Sequence, residues 1–364
     1  MKASEFYNEL VARGLDAFYG VPDSLLKELC ACITQNAPAG QHIIAANEGN
    51  ALALAAGHYL ATGKPAVVYM QNSGLGNVVN PLLSLTDAAV YSIPALLLIG
   101  WRGEPGVHDE PQHITQGRLT LPLLQALEVE HAVLENIAQV AEACEYMATH
   151  SRPYALVVRK GCFEPHPRTP AAPRYELARE EAIRCVAGLL GERDVVVSTT
   201  GMISRELYEN RPSHEKDFLT VGSMGHASSI ALGIALAKPN RQVYCLDGDG
   251  ALLMHLGAAA VLGAHAPGNL RHILINNEAH DSVGAQPTVM PGVHAGQLAH
   301  ALGYRHAYRV QTLDELRAAW PEFAAQEGPS LLEIMVHCGS RKDLGRPKER
   351  PAENKQAFMA FLQN

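Results

Sequence analysis

Asp247, Gly248, Asp249 and Gly250 close one apolar segment, and after 25 intervening residues a second apolar segment ends in Asn276 and Asn277. In a parallel sheet, strand ends one βα unit apart lie side by side. Asp249 and one Asn of the pair therefore meet at the carboxyl edge, where such sheets bind ligands. One carboxylate, one amide oxygen and one backbone carbonyl make an incomplete octahedron, which suits Mg²⁺ completing its shell with diphosphate oxygens and water. The glycines flanking Asp249 let the backbone approach phosphates, and a helix opening near Ala251 points N–H groups at them. Taken singly, the first segment reads as an Asp-Gly turn and the second as an Asn-rich loop. GDGALL also lacks the third glycine of a dinucleotide-binding fingerprint.

Strand ends must position these groups, and the sequence contains a series of them. Short apolar or β-branched runs alternate with Ala-rich periodic segments, the pattern of βαβ units and of a parallel sheet covered on both faces. Strands are expected near Ala17 to Tyr19, His42 to Ala45, Ala66 to Met70, Ala95 to Ile99 and Tyr154 to Val158. After a pause, they are expected near Val195 to Ser198, Gln242 to Leu246, His272 to Ile275 and Ser330 to Val336, with a helix at Leu177 to Leu190. The pause is rich in proline and weak in periodicity, which reads as an extended linker. The expected organisation is α/β with two doubly wound parallel-sheet domains, at 1–160 and 177–364, joined by a linker at 161–176.

The 364 residues favour two domains with a core each. With 47% hydrophobic and 18% charged residues the chain is an ordinary globular one, not a disordered one. A formal net charge of -8 argues against a nucleic-acid partner held by a broad basic surface. Seven scattered cysteines, without paired CxxC spacing, fit a reducing cytoplasm better than a disulfide scaffold. No apolar run approaches the roughly 18 residues of a membrane span, and the acidic, amphipathic N-terminus does not read as a signal peptide.

The GDG…NN pair resembles the binding signature of the thiamine diphosphate enzymes of the pyruvate decarboxylase type. The resemblance implies that Asp249, Asn277 and the backbone carbonyl of Ala279 hold Mg²⁺, and that Gly248 and Gly250 line the diphosphate. Asn47-Glu48-Gly49-Asn50 is similar to the family's NExNA segment, which implies that Glu48 bonds the aminopyrimidine ring as an acid–base group held out of water. Read without the resemblance, Glu48 is a dipole-stabilising residue beside an Asn N-cap. Val221 to His226 resembles the loop that supports the cofactor from below, with Met224 as the bulky apolar residue and Gly222 and Ser223 beside it. Met70 to Asn77 resembles the turn that brings Asn72 and Gly74 to the cofactor from the first domain. The bland readings are a core methionine and turn-forming glycines.

The chain has room for the pyrimidine- and diphosphate-binding domains of this family but not for its usual middle domain. Gly20 to Leu25, Asn276 to Gly284 and Gly339 to Pro347 resemble the phosphonopyruvate decarboxylase branch over nearly the whole chain. That implies decarboxylation of 3-phosphonopyruvate to phosphonoacetaldehyde and CO₂, with sulfopyruvate or another small anionic 2-keto acid as the alternative substrate. It also implies a homodimer or higher homo-oligomer with sites at the subunit interface, and no membrane or nucleic-acid partner. Asp23 is expected near the substrate, and His113 is a proton-donor candidate because imidazole titrates near neutral pH. Arg102, His280, Arg341 and Arg346 are candidates for the substrate's anionic groups. The last two belong to a run of five basic residues within ten positions, where planar guanidinium groups can grip a phosphonate, although such a run also reads as a solvated tail.

Overall fold

The computed structural model describes residues 1–167 and 173–363. The chain divides into two compact units, Met1–Pro170 and Ala171–Asn364. Within the expected linker, residues 168–172 lie outside the described residues. Its first part is packed: Phe163 is buried and meets Phe6 edge-on with ring centroids 5.3 Å apart.

The first unit is built on a six-stranded sheet in the order β2-β1-β3-β4-β6-β5. Its strands are β1 (Phe18–Gly20), β2 (His42–Ile44), β3 (Val67–Gln71), β4 (Leu96–Gly100), β5 (Glu130–Val133) and β6 (Tyr154–Val158). All neighbours pair parallel. Side chains alternate along a strand, so each central strand feeds two cores. Val67, Leu96, Leu98, Leu156 and Val158 enter one, while Val68, Met70, Leu97, Ile99 and Val157 enter the other.

The second unit repeats the scheme in the order β13-β14-β10-β9-β7-β8. Its strands are β7 (Val195–Ser198), β8 (Asp217–Leu219), β9 (Val243–Gly248), β10 (Leu270–Asn276), β13 (His306–Val310) and β14 (Ser330–Met335); a small hairpin of β11 (Ala279–His280) and β12 (Gln286–Pro287) follows β10. Tyr244, Leu246, Ile273 and Ile275 face one core, and Val243, Cys245, Leu270 and Leu274 the other. The order reverses at β1/β3 in the first sheet and at β7/β9 in the second, and crevices open beyond the strand ends at such points. A helix at Pro351–Gln363 ends the chain, where the sequence suggested only a basic tail. Among the described residues no helix is long and apolar enough to cross a membrane.

Candidate active site

In the first unit Glu48 opens the helix Glu48–Thr62. Asn47 caps that helix by accepting from the Gly49 N–H at 2.8 Å, and Gly63 ends it with φ 71°, a left-handed conformation glycine adopts without strain. Glu48 is only 5% exposed, and its Oε2 accepts from Asn77 Nδ2 at 2.6 Å. Burial raises the carboxyl pKa, while the Asn77 hydrogen bond opposes the rise. The turn Asn72–Gly74 closes over this carboxyl so tightly that a Cβ on Gly74 would lie 2.5 Å from Glu48 Oε1. Asn77 was not singled out from the sequence as a partner of Glu48, although it ends the very segment, Met70 to Asn77, that resembles the family's cofactor-approaching turn.

Asn72 is fully committed to holding the next loop. It donates to the Arg102 carbonyl at 2.7 Å and to Thr120 Oγ1 at 2.9 Å, and accepts from the Arg102 N–H at 3.2 Å. Arg102 grips Asp109 with Nε and Nη2 at 2.8 and 2.5 Å and donates to Ser24 Oγ from Nη1 at 2.9 Å. Asp23 lies wholly buried against Gly100, with Oδ2 on the Leu25 N–H at 2.8 Å and, among the described residues, no hydrogen-bond partner for Oδ1. Burial raises its pKa against the pull of Arg102. His113 is buried on the following helix. Its pKa is lowered by burial and by Arg102, and its Nδ1 has no partner. Asp23, Arg102 and His113 thus converge beyond the ends of β1 and β4.

In the second unit β9 and β10 pair in a register that sets Gly248 beside Ile275. Asp249 follows β9, 2% exposed, with Oδ2 accepting from Thr288 Oγ1 at 2.6 Å and backbone N–H groups of Gly250 and Asn277 also donating to the carboxylate. The short helix it opens runs Asp249–Met254, beginning two residues before the expected start. Burial pushes the Asp249 carboxyl up to about 7. The two asparagines separate in role. Asn276 turns inward and donates to Glu333 Oε1 at 2.7 Å, while Asn277 closes a turn by accepting from the Ala279 N–H at 3.2 Å. Above Gly250 the space is filled: a Cβ there would meet the His280 ring at 2.9 Å and Met224 Cε at 3.3 Å. Ser223 reaches that loop with φ 52°, a strained value for a non-glycine residue. Burial lowers the His280 pKa to about 4, so its ring is neutral.

In the basic tail the exposed Arg341 pairs with Glu180, Glu209 and Asp343, and Arg205 donates to the carbonyls of Leu344 and Gly345. Arg346 is exposed. A buried pair, Arg179 and Glu206, ties the tail to the loop after β10: Arg179 also donates to Asp281 Oδ2 at 2.6 Å, and Asp281 accepts from the Gly339 N–H at 3.1 Å.

Asp249 supplies the test of whether the second unit suits a cation. No Lys, Arg or His pairs with its buried carboxylate among the described residues, and a buried carboxylate without a counter-charge is costly. An oxygen-rich set around an uncompensated carboxylate fits a hard divalent ion.

Comparison with known proteins agrees with both halves. Residues 2–127 match the family described as thiamine pyrophosphate enzyme, N-terminal TPP binding domain, and residues 197–334 its C-terminal TPP binding domain. The chain is 39% identical to a phosphonopyruvate decarboxylase of Streptomyces viridochromogenes and 37% identical to one of Streptomyces hygroscopicus. In each case the match covers 99% of this chain and 94% of the other. It is 28% identical to a sulfopyruvate decarboxylase of Methanosarcina acetivorans, over 96% of this chain and 94% of the other. With both thiamine pyrophosphate-binding halves present and two compact units in the chain, it belongs to the thiamine pyrophosphate enzyme family and, within it, to the group of the phosphonopyruvate decarboxylases.

Proposed function

We propose that this protein decarboxylates 3-phosphonopyruvate to phosphonoacetaldehyde and CO₂ with thiamine diphosphate and Mg²⁺. The observation that carries this reading is the full-length similarity to two phosphonopyruvate decarboxylases, which exceeds the similarity to the sulfopyruvate enzyme by about ten percentage points of identity. Bound thiamine diphosphate supplies the nucleophilic carbon and the electron sink that decarboxylation of a 2-keto acid needs.

The protein's own groups do the rest. Asp249, Asn277 and the Ala279 carbonyl hold the cation, with Gly248 and Gly250 admitting the diphosphate. Met224, Gly222 and Ser223 shape the cofactor's seat. Glu48 holds a proton at its carboxyl for the pyrimidine ring, and the turn carrying Asn72 and Gly74 reaches the cofactor beside it. Asp23 and His113, both buried and each with an unpartnered atom, handle the substrate's proton. Arg102, His280 and Arg346 meet the carboxylate and phosphonate. Arg341 is a further candidate: it would exchange its carboxylate partners for the substrate, as Arg102 would exchange Asp109.

The domain roles belong to the same proposal: 1–160 binds the pyrimidine and 177–364 the diphosphate. So do a cytoplasmic location, which fits the lack of any disulfide among the described residues, and a homodimer or higher homo-oligomer whose sites are shared between subunits. Sedimentation should give a particle of at least twice the 39.2 kDa chain mass, and an active monomer would contradict the shared site.

The deciding experiment measures CO₂ and phosphonoacetaldehyde release from 3-phosphonopyruvate with and without thiamine diphosphate and Mg²⁺, in parallel with sulfopyruvate. We expect strict dependence on both additions and a kcat/KM at least about tenfold higher for the phosphonate, a preference worth about 1.4 kcal/mol. A preference for sulfopyruvate would reassign the substrate, and capture of the intermediate by an added aldehyde would point to a carboligase.

A further inference from the structure

We propose that Thr288 is a positioning residue for the cation: its hydroxyl fixes the rotation of the Asp249 carboxylate that would hold the metal. The inference rests on the reading of Asp249 as a metal ligand and deepens it. Thr288 is 7% exposed and its Oγ1 lies 2.6 Å from Asp249 Oδ2. A hydroxyl has one proton to give, and here its direction is set. The Met290 N–H donates to the same Oγ1 at 3.3 Å, so that side of the oxygen acts as an acceptor and the proton points to the carboxylate.

The backbone of Thr288 is pinned as well. Its N–H donates to the Glu278 carbonyl at 2.9 Å, directly beyond the hairpin in which Ala279 pairs with Pro287 and His280 with Gln286. The loop that carries Asn277 and Ala279 therefore returns to deliver the hydroxyl that orients the third ligand. One hairpin couples the geometry of all three proposed ligands. Partners that orient a metal ligand are worth about 10–100-fold in metal affinity.

The test uses the full-length protein, saturating thiamine diphosphate and Mn²⁺ as the probe, with free Mn²⁺ read by electron paramagnetic resonance. Thr288→Val keeps the shape and removes the donor, and should weaken Mn²⁺ binding about 10–100-fold, while Thr288→Ser should stay within about threefold of wild type. At saturating Mg²⁺ the KM for the keto acid should be unchanged in both. If the valine variant does not fold, Thr288→Ala carries the same expectation. Wild-type Mn²⁺ affinity in the donor-less variant would overturn the inference. Asp249→Asn separates the two failures. Loss of Mn²⁺ binding in that variant but not in Thr288→Val rejects only the role of Thr288. Unchanged binding in Asp249→Asn rejects the metal reading itself.

Discussion

Replacing Glu48 with Gln lowers decarboxylation about 10³-fold while cofactor affinity stays within about tenfold of wild type, the size expected when an acid–base group is lost and its shape is kept. The amide matches the carboxyl in volume and its oxygen still accepts from Asn77, so the seat formed by Asn77 and the turn Asn72–Gly74 survives. What disappears is the exchangeable proton. Burial disfavours the charged form of the Glu48 carboxyl, and its hydrogen-bond partner Asn77, an amide, has no acid proton with which to take over the task. A buried carboxyl is also not a source of stability, so the melting temperature of the cofactor-free variant should equal or exceed that of wild type. Calorimetric cofactor titration together with single-turnover kinetics checks both halves. An unchanged rate would remove Glu48 from the chemistry, and loss of cofactor binding would make it a binding residue instead.

The second large effect belongs to Asp249→Asn. The side chain keeps an oxygen for Thr288 Oγ1 but loses the charge that a cation needs, so Mg²⁺-dependent cofactor binding should fall by at least about 100-fold, no less than the loss of an outer-sphere partner. Thermal melting reports this without any turnover. At cofactor and metal levels about 100 times the wild-type Kd, binding stabilises the native state by about 2.7 kcal/mol, which for a unit of this size moves the melting temperature by about 5–11 °C. In the variant the same concentrations contribute about 0.4 kcal/mol or less, and the shift should nearly vanish. Without ligands the variant should melt no lower than wild type, because an amide replaces a buried carboxylate that has no cationic partner. A wild-type ligand shift in Asp249→Asn would move the metal site elsewhere.

The central strands were all legible in the sequence, whereas of the four edge strands only β2 was. Tyr154 to Val158 and Val195 to Ser198 coincide with β6 and β7 to the residue, since both lie between neighbours and read as continuous apolar runs. The unanticipated β5, β8 and β13 are the outermost strands of their sheets; their polar sequences EHAV, DFL and HAYRV suit a strand paired on one side only. The charges of the tail by themselves suit both a phosphonate grip and a solvated tail. Glu180 and Glu209 lie far away in sequence, so their closure around Arg341 depends on how the helices pack.

The sequence by itself determined the family: the GDG…NN pair and NEGNA mark out strand ends, glycine clearances and two carboxyl groups, all of them local features of residue type and spacing. Only the tertiary structure decided which groups hold those carboxyls. Asn77 reaches Glu48, Thr288 reaches Asp249, and Asn276 turns inward to Glu333 while Asn277 stays at the site. The physical reason is range. A strand or a glycine turn is written in adjacent residues, whereas a hydrogen bond to a buried carboxylate is made by whichever donor the packed chain brings within about 3 Å.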